Sequence, residues 1–287
     1  MTDTVTRQFV QQFDSSLRLL AQQKDSRLRS TVYDRGTIEG ASFTINNLDS
    51  AGDFDENVTR HGDTIFSDID HTARNVPMRD FFKALPLDRA DVPKMKVNPV
   101  TGGQYMQSLV AARNRKIDDI IFQAALGSIN SVDGSTGPYT LPAGQIIAAG
   151  GTGLTKAKII QARSIFRANE TDDEELYFLW DSLAMQQILA DTTLTSADFM
   201  AGKMLQDGNV AGKWLGFTWI PYERVLNVAN VRTSVAYAKS AIHFGMGYER
   251  GDVAVRADKK NLTQVSIEGS YGAGRQDEKK VVQISYQ

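Results

Sequence analysis

The residues best suited to chemistry lie in the segment RHGDTIFSDIDHTARNV, residues 60–76. This segment interleaves two of the three histidines with three aspartates: His61, His71, Asp63, Asp68 and Asp70. A zinc site needs three or four nitrogen or carboxylate ligands on a rigid frame, commonly at helical spacings such as H-E-x-x-H. His61 and His71 lie in a segment without helical periodicity, so their spacing does not place them on one face. The sequence therefore favours a solvated or salt-bridged segment, and a metal-assisted hydrolase using His61, Asp63 and His71 is the weaker alternative.

Other catalytic motifs are missing from the chain. There is no G-x-S-x-G nucleophile elbow. The Gly-rich stretch GQIIAAGGTGL contains neither of the phosphate-binding patterns GxGxxG and GxxxxGK[ST]. Few histidines are available as general bases, no carboxylate pair separates an acid from a base, and His243 in AIHFG reads as a partly buried strand residue. We therefore expect a protein that is not an enzyme and uses no cofactor and no metal.

Composition limits the function further. The chain has 287 residues, of which 41% are hydrophobic and 23% charged, as in a soluble globular protein of one large domain or two smaller ones. Its 32 Lys and Arg against 34 Asp and Glu create no global basic field for nucleic acid. The absence of cysteine excludes disulfides and thiolate sites and fits a reducing cytosol. The N-terminus lacks the apolar run of a signal peptide, and no apolar stretch approaches the length of a membrane span.

Residues 25–76 are predicted to form a long two-stranded excursion, because helical periodicity is lost there. Alternation in Ala41, Phe43 and Ile45 predicts an outgoing strand, and Thr64 with Phe66 predicts the returning strand. A polar, turn-rich tip at residues 46–57 separates them. A two-stranded excursion is only marginally stable alone, so it needs a surface to lie on. The pattern therefore indicates assembly with other copies.

Charge changes sign along this region. Between Asn47 and Asp70 there are seven acidic residues against one basic residue, whereas Arg74 to Lys96 contains six basic residues against three acidic ones. Such blocks fold back on each other, stay solvated, or give complementary surfaces that set the register of an assembly. On the assembly interpretation, we expect the inter-subunit contact residues to be Asp53, Asp55, Glu56, Arg60, His61, Asp63, Asp68, Asp70, Arg74, Arg79 and Lys83.

Two helices stand out by periodicity. Apolar residues at spacings of three and four predict an amphipathic helix over residues 4–23, which docks either on its own domain or on another subunit. A longer helix is predicted from about residue 100 to Leu126, between Pro99 and Gly127. Arg113 lies on the apolar stripe of this long helix, so we expect it to make a salt bridge or to lie at a boundary.

The remaining chain alternates and then becomes strand-rich. Helices are predicted at residues 154–168 and 182–191 around a strand at 175–181. Further strands are predicted at 213–222, 234–246, 261–274 and 280–286. The fold class is therefore α+β with antiparallel closing strands.

Several stretches in this order resemble the major capsid proteins of tailed bacteriophages with the Johnson fold, the Hong Kong 97-type (HK97-like) capsid fold. They are FVQQFDSSLRLLAQQKDSRLRS (9–30), RHGDTIFSDIDHTARNV (60–76), NPVTGGQYMQSLVAARNRKIDDIIFQAALG (98–127) and RADKKNLTQVSIEGSYGAGRQDEKKVVQIS (256–285). The resemblance implies five parts: an N-terminal arm (1–30), an E-loop (31–75), a peripheral domain with the spine helix (76–130), an axial domain (131–250) and C-terminal strands of the peripheral domain (251–287).

The resemblance also implies a function. Copies of the chain would form hexamers and pentamers of an icosahedral shell around the double-stranded DNA of a tailed phage, with scaffold, cement or portal proteins as further candidate partners. The protein would be made in the host bacterial cytoplasm and reside in the virion capsid, without contact to a membrane. An encapsulin-like compartment shell shares the fold and is the alternative. Some family members weld their shells through an E-loop lysine, but this chain has no lysine between Lys24 and Lys83, so we expect no such weld.

Overall fold

The computed structural model describes residues 20–53, 62, 66, 68–94, 100, 103–132, 134, 137–190 and 213–287. The helices are α1 (Gln104–Leu126), α2 (Lys156–Ala168) and α3 (Ser182–Ala190). The strands before α2 are β1 (Tyr33–Thr37), β2 (Ser42–Leu48), β3 (His71–Pro77), β4 (Arg79–Leu87), β5 (Asn130–Ser131) and β6 (Ile146–Ile147). The later strands are β7 (Leu176–Trp180), β8 (Lys213–Trp214), β9 (Phe217–Pro221), β10 (Leu226–Val228), β11 (Val231–Ala238), β12 (Ile242–Arg256), β13 (Leu262–Arg275) and β14 (Val281–Tyr286). Among the described helices, none combines the length and apolar character that a bilayer crossing requires.

The described strands form three sheets. The largest has the order β6-β14-β11-β7-β9-β8, with β10 paired to β11; a second has the order β1-β12-β13-β4; a third has the order β2-β3-β5. The chain divides into two compact units. The first comprises Met1–Asp25, Phe81–Arg115 and Glu249–Gly269; the second comprises Ser26–Asp80, Lys116–Tyr248 and Ser270–Gln287.

The first unit is built on the beginning of α1. Leu109 is buried together with Val265 and Ile267 of β13, and Met106 packs against this cluster from the same helix face. Arg113, one turn further along, forms an ion pair with Glu249, which confirms its predicted salt bridge. The helix begins at Gln104, a few residues later than predicted, directly after Gly103, whose φ of 73° is left-handed and incompatible with a helix.

The second unit has the large sheet as its core. Strand β7 is buried along its whole length and lies inside the sheet, where it pairs with β11 on one side and with β9 on the other. Helix α2 packs against β14 and β6 through one apolar face that includes Ile159, Ala162 and Phe166. The predicted strand at 175–181 and the two predicted helices beside it are confirmed within two residues at each end.

Two predicted strands are each split in the structure. The segment 213–222 forms the hairpin β8–β9, because Leu215 and Gly216 have φ of 51° and 80° and make a tight turn between the strands. The segment 234–246 is divided by a 3-10 helix at Lys239–Ala241, which sends β11 and β12 into different sheets. The predicted helix at 4–23 lies outside the described residues except for residues 20–23, which are not helical.

The returning strand of the excursion is also corrected. It is β3, which pairs with β2 in antiparallel register from Ser42↔Pro77 to Leu48↔His71. Phe66, predicted to lie on that strand, is outside every strand and 87% exposed, and Thr64 lies outside the described residues. The register is set by burial, because it places Val76 opposite Phe43 in a cluster with Ile45 and Ile129.

Candidate functional site

The candidate site is the arm, which we define as β2, β3 and the residues between them. Its two faces differ as the pleat requires. Phe43, Ile45 and Val76 point to one face and are buried. The opposite face carries Leu48 beside His71, and both side chains are exposed. The arm therefore has one face fixed by its own subunit and one face open to another molecule.

Small residues on β13 let the arm approach closely. A Cβ atom added to Gly274 would lie 2.3 Å from Val76 Cγ2 and 2.9 Å from Ile129 Cδ1. A Cβ atom on Gly272 would lie 3.0 Å from the main-chain oxygen of Pro77. Side chains do not tolerate contacts this short, so the two glycines form a seat for the arm root, which we define as Phe43, Ile45, Arg74 and Val76.

A buried ion network holds the arm root from the side. Arg74 is 5% exposed, and its two terminal nitrogens donate to the two carboxylate oxygens of Glu278 at 2.7 Å each. The same guanidinium donates to the main-chain oxygen of Arg275 at 3.2 Å and lies 4.4 Å from the centre of the Tyr139 ring. The charge of Arg74 is therefore satisfied inside the subunit.

Arg275 is the second cation of this network and is fully buried. Its Nη1 donates to the main-chain oxygens of Ala125 at 2.8 Å and Gly127 at 2.9 Å, just where α1 ends. Its Nε donates to Glu278 at 3.2 Å. Burial by itself would raise the pKa of Glu278, but the hydrogen bonds and charges of the two arginines outweigh burial and hold that pKa below its usual value. One carboxylate thus joins the arm, β13 and the end of the long helix.

The predicted contact residues fall into three groups. Five have exposed side chains: Asp53, Asp68, Asp70, Arg79 and Lys83. Five lie outside the described residues: Asp55, Glu56, Arg60, His61 and Asp63. Arg74 differs from both groups because it is buried in the network with Glu278. Exposed acidic residues therefore follow β2 and precede β3, while exposed basic residues lie on β4.

The metal interpretation gains no support from the described part of the chain. Those residues contain no group of three or more His, Asp or Glu side chains that could hold an ion. His71 is exposed on the arm, and His243 is buried in β12, as expected for a strand histidine. Sequence reasoning missed Arg275 and Glu278. The alternating glycines directly before Arg275 were the available signal, since glycine inside a strand often marks a close backbone approach.

Comparison with known proteins gives a consistent result. A family model described as phage capsid protein matches residues 5–287. No curated protein matches the chain. The capsid structure of cyanophage P-SCSP1u is similar with a TM-score of 0.68 and 16% identity, covering 99% of this chain and 94% of that one. The capsid asymmetric unit of cyanophage Pam1 gives 0.72 and 12%, covering 100% and 99%. A structure from Mycobacterium phage Che8 gives 0.71 and 12%, covering 96% and 97%.

At these identities the solved structures establish the fold, and the family model covers nearly the whole chain. The mixed helix and sheet architecture agrees with the Hong Kong 97-type fold that the sequence predicted. The matched family consists of structural proteins rather than enzymes. The chain belongs to the phage capsid protein family and is a shell-forming major capsid protein.

Proposed function

We propose that this capsid protein assembles through noncovalent contacts into an icosahedral shell, built from hexamers and pentamers, around the double-stranded DNA of a tailed phage. The observation that carries the proposal is the arm. Its root is buried against its own subunit, whereas its outer face and the acidic residues that follow β2 are exposed. A strand pair of this kind gains stability when a neighbouring copy covers it.

Charge indicates where the arm would lie. Asp53, Asp68 and Asp70 are exposed near the distal end of the arm, and Asp55 and Glu56 extend the acidic run in the sequence. Exposed basic side chains follow on β4 and just after it, namely Arg79, Lys83 and Arg89, and they outnumber the exposed acidic residues Asp80 and Asp88 between them. We propose that the acidic part of one copy lies on this basic segment of the next. Opposite charges at such a contact select the partner and the register, and added salt weakens the attraction between these charges.

The proposal includes the five-part organisation implied by the family: an N-terminal arm (1–30), an E-loop (31–75), a peripheral domain with the spine helix (76–130), an axial domain (131–250) and closing strands (251–287). Scaffold, cement and portal proteins are the proposed partners beside the chain itself. Synthesis takes place in the host bacterial cytoplasm, before incorporation into the virion.

A charge-reversal experiment tests the proposed contact. Replacing Asp53 and Glu56 by lysine should place like charges against the basic segment and lower the yield of closed particles. The matched control replaces Glu170 and Asp173, two exposed acidic residues between α2 and β7, by lysine. The two double variants change the net charge equally, so only the position differs. Particle yield is measured by sedimentation and negative-stain imaging at low and at high salt.

The comparison between the two variants decides the result. The proposal expects the Asp53/Glu56 variant to assemble poorly while the Glu170/Asp173 variant assembles like the wild type. Wild-type yield and wild-type salt tolerance in the Asp53/Glu56 variant would contradict the contact. Equal losses in both variants would assign the effect to net charge and would also contradict it.

A further inference from the structure

Arg35 on β1 joins two strands through its side chain. Its Nε donates to Nδ1 of His243 on β12 at 3.0 Å, and its Nη1 donates to the main-chain oxygen of Thr44 on β2 at 2.7 Å. The guanidinium carbon also lies 5.4 Å from the centre of the Phe43 ring in the arm root. The side chain thus connects the body of the second unit with the outgoing strand of the arm.

These contacts define the protonation state of His243. A guanidinium group only donates hydrogen bonds, so Nδ1 must carry a lone pair and the ring proton must be on Nε2. Nε2 lies 3.2 Å from the side-chain oxygen of Gln276, which can accept that proton's hydrogen bond. The main-chain oxygen of Gln276 in turn accepts from Asn47 Nδ2 at 2.7 Å, near the far end of β2. Neutral His243 therefore completes a chain of hydrogen bonds that holds β2 at two points.

The surroundings of His243 disfavour its charged form. The side chain is buried, and the Tyr33 ring of β1 lies 4.8 Å from it. Burial, followed by the charge of Arg35, lowers the pKa of His243 below its ordinary value of 6.5. Lys280, which is paired with Glu174, lowers it further, whereas hydrogen bonds to Gln276 and to the main chain of Ser240 raise it. The cations on both sides thus oppose protonation, and the net shift is downward.

We propose that Arg35 and His243 form an acid-sensitive clamp on β2, in which a proton taken up from solvent at Nδ1 of His243 removes the acceptor of Arg35 and releases the arm root. Two cationic groups then face each other at hydrogen-bond distance, and Arg35 must move away from Thr44. Because the neutral form is favoured in the folded chain, the clamp is intact above the ordinary histidine pKa. The clamp opens as the pH falls below the ordinary histidine pKa and then through the lowered pKa of His243 in the folded chain.

Hydrogen–deuterium exchange of the full chain tests the clamp. Peptides covering β2 are followed by mass spectrometry at about pH 7.5 and about pH 5, with each rate corrected for the intrinsic effect of pH on exchange. The loss of a charge-assisted hydrogen bond should make the corrected exchange of β2 about tenfold faster in acid. Peptides from β7, which is buried throughout, provide the internal reference.

Three variants separate the clamp from other acid effects. His243→Asn keeps an acceptor near the position of Nδ1 but cannot titrate, so β2 should exchange slowly at both pH values. Arg35→Met removes both hydrogen bonds, so β2 should exchange fast at both. His71→Asn, an exposed histidine on the arm itself, should keep the full wild-type pH dependence. If His243→Asn fails to fold, the pH dependence of β2 exchange in Arg35→Met is compared with that in the wild type.

Two results would contradict the proposal that Arg35 and His243 form an acid-sensitive clamp. One is corrected exchange in the wild type that does not change between the two pH values. The other is a wild-type pH dependence that persists in Arg35→Met or in His243→Asn. Exchange is measured on the unassembled chain, where no neighbouring copy covers β2, so failure of the clamp leaves the proposed shell unaffected. Failure to form shells would likewise leave the clamp standing.

Discussion

At the scale of single residues, the least expected feature is that the charged side chain of Arg74 is buried. The sequence places Arg74 at the start of a basic block and therefore predicts it at a subunit contact. The structure pairs it with Glu278 in a buried network that also includes Arg275. A charge pattern gives sign and order but does not say which groups are buried. Burying charges is tolerated only when each is paired, and here both guanidinium groups share Glu278 and also donate to main-chain oxygens.

This network leads to a stability prediction. Glu278→Gln keeps the size of the side chain but leaves two buried guanidinium groups without their shared anion. Removing one partner of a buried ion pair costs about 3–5 kcal/mol, so the free energy of unfolding should fall by that amount. Urea denaturation followed by tryptophan fluorescence measures it. Asp258→Asn, which breaks the exposed pair with Arg256, should leave the midpoint unchanged. A Glu278→Gln midpoint equal to that of the wild type would contradict the role of the network.

At the scale of elements, the arm is defined by a close fit between strands. Its register places Val76 against Gly274 of β13 and opposite Phe43, so the packing surface is narrow and specific. Over-filling such a surface forces backbone shifts or unfavourable rotamers. The fit therefore explains why small residues alternate along this part of β13.

Gly274→Ala tests that fit. The new Cβ atom would meet Val76, so we expect a loss of about 1–3 kcal/mol of unfolding free energy. Combining it with Val76→Ala should relieve the clash, so the double variant should be less destabilised than the sum of the two single changes. Gly137→Ala, whose Cβ would meet nothing within 4 Å, is the control and should be neutral. Strict additivity of the Gly274 and Val76 changes would show that the two positions do not touch.

Elements with strong local periodicity could be predicted from the sequence, whereas elements defined by distant partners could not. A short window of sequence is enough to predict the long helix α1, which has Leu109 and Met106 on one face. The same holds for β7, which is a continuous apolar run. Strand β3 has no clear alternation, because one of its inward positions is Arg74. Its place depends on burial against β2 and on an acid more than two hundred positions away, which a local pattern does not contain.

The candidate site was predictable to a similar extent. The arm and its exposed acidic residues follow from polarity and turn composition, and the exposed side chains of Asp53 and Asp70 agree with that interpretation. The clamp and the ion network do not follow from composition. Each joins residues from opposite ends of the chain, such as Arg35 with His243, and only the folded structure brings them together.

At the scale of the whole molecule, the shell must be held together without a lysine weld from the arm. No lysine occurs between Lys24 and Lys83, so the arm lacks the amine for an isopeptide bond. We therefore expect particles boiled in detergent to release single chains of 31.7 kDa on a denaturing gel. Particles treated with a chemical amine crosslinker provide the positive control, because their crosslinked chains give a ladder of bands on the gel. A ladder from untreated particles would contradict the noncovalent assembly.

The assembly state of the purified chain is the most direct test of shell formation. Concentrated protein should be examined by analytical ultracentrifugation and cryo-electron microscopy, in the absence and presence of candidate scaffold protein. We expect closed icosahedral particles in which the arm of each copy lies on its neighbour. A chain that stays monomeric under all these conditions, with the arm folded onto its own body, would contradict it.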